Sequence, residues 1–262
     1  MILTHGANSL ARGGCEIKQV IYNNKICVVD PNGFIGIVVD PKYPWTEGAR
    51  RGAGNIAIVV DGDYSSAGLG SVVFVNFGSV VIGGRTYKTI IMPDGKEWLA
   101  ENLDYKYPGL EISTVLSETI PRARYYGNDE STHGVTGDKW GLLYNWAAVD
   151  YLEQNKATLL PQGWHAPSTD EINALNTAAG TGYYKKLLSW EGFDSSNGLD
   201  FYGFNAPPSG DFWTNGFYGG GQVFYLWASD TNTRFEYNLS SSNKKTENKS
   251  FGFSVRLVKD SE

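Results

Sequence analysis

Residues 168–180, STDEINALNTAAG, carry the clearest structural instruction in the chain. Ser168 stands where a helix N-cap belongs and Glu171 follows three residues later, the capping-box pattern in which each side chain satisfies the other residue's backbone N–H. Ile172 and Leu175 supply an apolar stripe, and Gly180 falls where a helix closes. A second helix is expected within residues 139–155, KWGLLYNWAAVDYLEQN, where Leu142, Trp146 and Val149, joined by Leu143 and Ala147, recur at helical spacing. The chain closes on residues 251–260, FGFSVRLVKD, in which Phe253, Val255 and Leu257 alternate with Ser254 and Arg256 as in a half-buried strand. Two helices, long glycine-rich loops and a terminal strand predict an α+β domain with helices flanking small antiparallel sheets.

Upstream the texture differs. From Cys15 to about Val81, short apolar runs (IYNNKICVV, FIGIVVDP, NIAIVVDGD, SVVFVNFGSVVIGG) are punctuated by Gly, Pro, Asn and Asp. These read as strands and turns. We therefore expect a small all-β domain over residues 1–78, serving attachment or oligomerisation, and a second domain over 79–262. The segment RRGAGN around Arg50 and Arg51 reads as a loop, because the spacing of a phosphate-binding P-loop is absent. Cys15 and Cys27 are the only cysteines; a disulfide and two free thiols both remain open.

Composition narrows the function classes. At 262 residues the chain can bury a real core. Charged residues make up only 19% and aromatics 14%, which suits a β-leaning protein with an adhesive surface. A net charge of -6 lacks the basic footprint that phosphate neutralisation needs, so nucleic acid is not the expected partner. No apolar run is long enough for a membrane-spanning helix, and residues 1–20 lack the pattern of a secretory signal.

Four stretches, in order, resemble a known family: GKEWLAENLDY at 95–105, WGLLYNWAAV at 140–149, PQGWHAPSTDEINAL at 161–175 and KSFGFSVRLV at 249–258. Together they resemble the Fibrobacter succinogenes major paralogous domain, common in Bacteroidetes and their phages. The resemblance implies a C-type-lectin-like fold, similar to that of the formylglycine-generating enzymes. It also implies kinship with the variable proteins of diversity-generating retroelements, in which the diversified positions lie just before the C-terminal strand.

Between Asp211 and Tyr237, nine of 27 residues are aromatic, more than twice the chain average. Tyr and Trp give large contact area at small entropic cost, as in a paratope. The resemblance implies that Tyr225 and Trp227 belong to the scaffold. The expected exposed, ligand-binding set is Asp211, Trp213, Tyr218, Gln222, Phe224, Leu226, Asp230, Asn232, Arg234, Glu236 and Asn238. Strand alternation in TRFEYNL would place Arg234, Glu236 and Asn238 on one face and Phe235 with Tyr237 on the other.

Catalytic and metal readings find little support. His5, His133 and His165 are scattered without metal-ligand spacing, and His165 is expected to be satisfied by hydrogen bonds beside the second helix. No G-x-S-x-G elbow occurs. The cysteines on which the formylglycine-generating relatives depend are missing from the C-terminal half, and the sugar-binding triplets of calcium-dependent lectins are absent. Asp194, Asp200, Asp211 and Asp230 read as scattered surface carboxylates, an oxygen-ligand site being the alternative.

The expectation is a non-enzymatic protein without cofactor or metal that displays a sequence-variable surface. It would bind a protein or glycan receptor on a host cell, without nucleic acid or membrane insertion, from a virion (phage tail) or a cell surface. A homotrimer is implied by analogy with phage tail proteins. A bacterial surface or pilus adhesin with a fixed glycan ligand is the first alternative, and a degenerate formylglycine-generating-type enzyme the second.

Overall fold

The computed structural model describes residues 77–134, 140–189, 192–194, 198–200, 202–214 and 216–260, together with the backbone of six strands between residues 9 and 75. The chain divides into two compact units, Met1–Phe77 and Gly78–Glu262. In the first, Ser9–Arg12, Cys15–Tyr22, Lys25–Val29 and Ile35–Ile37 form a four-stranded antiparallel meander, and Ala57–Asp61 pairs with Ser71–Val75. Tyr22 pairs with Lys25, closing a hairpin. The RRGAGN segment and the side chains of Cys15 and Cys27 lie outside the described residues.

The expected α+β, C-type-lectin-like architecture is overturned. The described residues are mostly β, with nineteen strands in six sheets. Of five α-helices, only Trp146–Gln154 and Thr169–Ala179 exceed five residues. Two features of the chain account for the difference. The glycine-rich stretch 201–230 reads as irregular by composition, but its aromatics are good strand formers and its glycines supply tight turns. Together with the residues that follow, it builds a hairpin, Ser209–Trp213 with Gly216–Gly220, and a three-stranded sheet, Phe224–Trp227, Thr233–Tyr237 and Ser242–Thr246. The helical spacing within 139–155 also overstates the helix, which spans Trp146–Gln154. Leu143–Tyr144 pairs as a strand with Arg122–Arg124, and the helix starts only after Asn145, whose side chain accepts from the Ala148 N–H.

The other helix matches its sequence signals. Ser168 and Glu171 form the capping box reciprocally, and Gly180 ends the helix at φ 71°. Its buried residues are Ile172, Leu175, Asn176 and Ala179.

The largest sheet has the order Trp164–His165, Val258–Lys259, Glu97–Leu99, Arg85–Ile91, Phe77–Ile82. The closing segment is thus central to the domain. Phe253, Val255 and Leu257 are fully buried as expected, but so are Ser254 and Arg256, so both faces of this stretch are covered. Arg256 is accommodated because Asn102 Oδ1, Leu99 O, Phe204 O and Asn205 O all accept from it, while its plane lies 4.4 Å from the Phe204 ring centroid. A buried charge is tolerated only with such complete hydrogen bonding. Around it, Trp98, Trp164, Trp227, Tyr87, Tyr144 and Phe253 form much of the core.

Candidate recognition surface

The eleven residues expected to be exposed do not share one outer face. Asp211, Phe224, Leu226 and Arg234 are buried. The reason lies in sheet pairing. Phe224–Trp227 runs beside Thr233–Tyr237 on one edge, while Leu226 bridges to Ser254 of the closing segment on the other. All four residues Phe224–Trp227 are consequently enclosed. Phe224 packs on Tyr237 with ring centroids 5.9 Å apart. The alternation expected for TRFEYNL also fails to separate a wet face from a dry one, since Arg234, Phe235 and Tyr237 are all buried. Arg234 is held by Glu236 at 2.5 Å and Glu247 at 3.1 Å, with its guanidinium 4.8 Å from the Tyr225 ring centroid. Three others are occupied locally. Asp230 Oδ1 accepts from Thr169 N and Oγ1, Asn232 Nδ2 donates to Glu247 O, and Asn238 Oδ1 accepts from the backbone of Ser240 and Ser241.

What remains outward is an aromatic patch on the hairpin Ser209–Trp213/Gly216–Gly220. Tyr218 is 50% exposed, Trp213 and Phe217 are partly exposed, and exposed Gln222 follows in the next turn. The Trp213 ring stacks on Phe251 at 5.4 Å and meets Tyr218 at 5.8 Å. Behind it, Phe212 packs against Phe217, and Phe217 against Tyr126. The hairpin is tight because Gly210, at φ 61°, lies against the opposite strand, where a Cβ would run into the Tyr218 carbonyl. Rigid rings on a backbone anchored from beneath make a surface with little ordering entropy to lose on contact.

Asp211, directly across the hairpin from Tyr218, is fully buried, with the Trp213 indole N–H and the Tyr218 backbone as neighbouring donors, neither of which meets full hydrogen-bond geometry with its carboxylate. Burial pushes its pKa up to about 7, with the Trp213 indole, Arg234 and the Tyr218 backbone pulling the other way. A neutral carboxyl under an aromatic patch is a place where pH reaches the hairpin.

His165, Glu171 and Asp260 are the one group among the described residues with ligand atoms close enough to share a cation. Glu171 is fully committed, however. Its Oε1 accepts from Lys96 Nζ at 2.6 Å and lies 2.9 Å from His165 Nε2, and its Oε2 accepts from the backbone and hydroxyl of Ser168. The ammonium already supplies the cation, so this arrangement is an ion-pair network at a helix start. Asp194, Asp200, Asp211 and Asp230 are not brought together as ligands.

The described part of Gly78–Glu262 is thus a mainly β domain with a buried charged frame and an anchored aromatic hairpin. Comparison with known proteins is consistent with a definite family: the chain belongs to the Fibrobacter succinogenes major domain family, whose model matches residues 94–259. Neither comparison with curated proteins nor comparison with solved structures gives a match.

Proposed function

We propose that Gly78–Glu262 is a non-catalytic recognition domain that captures a protein or glycan receptor on a host cell surface through Trp213, Tyr218, Phe217 and Phe251. The observation that carries this reading is the half-exposed Tyr218 beside Trp213, on a hairpin fixed from below by Phe212 and Tyr126. Tyr and Trp offer apolar area together with a polar handle, the combination that dominates binding hot spots. Of the positions expected to vary, Tyr218 and Gln222 are exposed, so substitution there costs the fold least, while Trp213 is half-buried with its indole nitrogen enclosed beside Asp211.

The same reading makes the protein part of a phage tail or cell surface, with the codons of this region diversified by a retroelement. A nearby reverse transcriptase gene and a near copy of the codons for residues 211–260, differing at template adenines, would support that part; absence of both from a complete genome would refute it. A fixed glycan ligand is the second reading, favoured by the flat Trp213–Phe251 stack against which a sugar ring can rest. The functional test is capture on protein and glycan arrays by the full chain and by Trp213→Ala and Tyr218→Ala. Loss of capture with unchanged thermal unfolding supports the reading, and retained capture refutes it.

A further inference from the structure

A second site lies on the other side of Phe212. A small pocket is lined by Ser117, Arg122, Arg124, Asn145, Phe212 and Ser250 among others, and no Asp or Glu lines it. Arg124 is 6% exposed, its guanidinium carbon 3.6 Å from the Phe212 ring centroid. Among the described residues its guanidinium has no hydrogen-bond acceptor and no carboxylate partner. Arg122, by contrast, donates to Glu111 at 2.8 Å and to the Val115 and Leu116 carbonyls. The fully enclosed side-chain polar atoms without a partner belong to Asp104, Trp146, Asp211 and Trp213. Arg124 is not one of them, so its N–H groups reach the pocket rather than being sealed in protein.

An arginine stacked on an aromatic face presents its donor edge in a fixed orientation, the geometry that suits bidentate recognition of a planar or tetrahedral anion. Asn145 is committed to structure, accepting from Arg122 N and Ala148 N and donating to the Ser117 and Ile120 carbonyls, so it holds the pocket wall in place. Arg122 is neutralised by Glu111, so in a chain of net charge -6 the pocket, with no acidic lining, holds one uncompensated positive charge, that of Arg124. Burial and the neighbouring Arg122 already weaken the hold of Arg124 on its proton, bringing its pKa down to about 10, and a bound anion would reverse that pull.

We infer that the mouth of this pocket, which has room for about one water-sized group, binds an oxyanion (a carboxylate, sulfate or phosphate group) with one oxygen set against Arg124 and Arg122 alongside. The anion can be free or borne by a larger ligand, and the site adjoins the aromatic hairpin, with Phe212 shared between them.

The test titrates the full chain at constant ionic strength with sodium acetate, sodium sulfate and sodium phosphate separately, against sodium chloride. It follows thermal unfolding and the amide resonances of residues 122–124. At least one oxyanion is expected to give a saturable shift and a raised melting temperature that chloride does not give. The responding anion then distinguishes a carboxylate site from an inorganic-oxyanion site. Arg124→Met should weaken that response at least about tenfold, as expected for loss of a charge-assisted contact. It should also raise stability in oxyanion-free buffer by removing an unpaired buried cation. An identical response to chloride, an undiminished response in Arg124→Met, or a variant that fails to fold would each overturn the inference.

Discussion

The guanidinium of Arg256 donates through Nε to Asn102 Oδ1 at 2.9 Å, joining the closing segment to a loop 154 residues earlier. Asn102 in turn donates to Trp140 O and lies 3.2 Å from Ser254 Oγ, so one buried pair ties both ends of the domain to its middle. Burial holds the Arg256 pKa down to about 9, with Glu101 pulling it up. Arg256→Ala is expected to cost about 3–5 kcal/mol, because four acceptors lose their donor at once. Arg256→Lys should recover only part of the loss, since an ammonium cannot reach the fork of carbonyls. Urea denaturation measures both.

Phe224 and Arg234 separate scaffold from surface. Phe224→Ala should destabilise by about 3–5 kcal/mol through a core cavity. Arg234→Ala should also be costly, by about 2–3 kcal/mol, because it empties a buried position packed on the Tyr225 ring and leaves buried Glu247 only its bridge to the exposed Lys245. Tyr218→Ala should stay within about 0.5 kcal/mol of the parent. Equal melting temperatures for all three would contradict the burial described.

Asp211 makes stability fall with rising pH. Its folded pKa, about 7, lies above the unfolded value, so its favourable contribution is complete below about pH 4 and lost as pH rises through 7. Asp211→Asn should remove this slope and stabilise the domain at pH 8 by about 1–3 kcal/mol. Chemical denaturation at pH 5 and pH 8 for both chains reads the difference.

His165 and Glu171 act in the opposite sense to each other. Burial disfavours the charged His165, but the bond and charge of Glu171 outweigh it and leave the His165 pKa raised. Glu171 is also penalised by burial, yet His165, Lys96 and the Ser168 N–H hold its pKa well below the carboxylate range. The His165 contribution is present below about pH 6.5 and lost above its raised pKa; that of Glu171 is present above about pH 4.3 and lost in acid. Glu171→Gln should cost about 1–2 kcal/mol at pH 6 by weakening the cap and the Lys96 bridge together.

Local signals were readable where one segment decides its own conformation. The capping box at Ser168 and Glu171, the apolar stripe of Ile172 and Leu175, and the burial of Phe253, Val255 and Leu257 all follow from spacing. Burial of Arg256, Arg234 and Asp211 did not, because it depends on partners from distant segments that alternation cannot supply. Glycine misled for a related reason: at Gly219 and Gly221, with φ 68° and 76°, it serves tight turns between strands, where composition alone reads as loop. Aromatic and polar enrichment singles out Trp213, Tyr218 and Gln222, of which Tyr218 and Gln222 are exposed and Trp213 is partly exposed. Arg124 carried no sequence signal, since its isolation from acceptors is a property of the packed pocket.

The most direct test is capture of a receptor by the full chain compared with Tyr218→Ala and Trp213→Ala on the same protein and glycan arrays, with melting curves recorded in parallel. Recognition through the hairpin requires binding to fall at least about tenfold in both variants while the melting temperature stays put in Tyr218→Ala, whose side chain is half-exposed. Undiminished capture by both variants would place recognition elsewhere on the molecule.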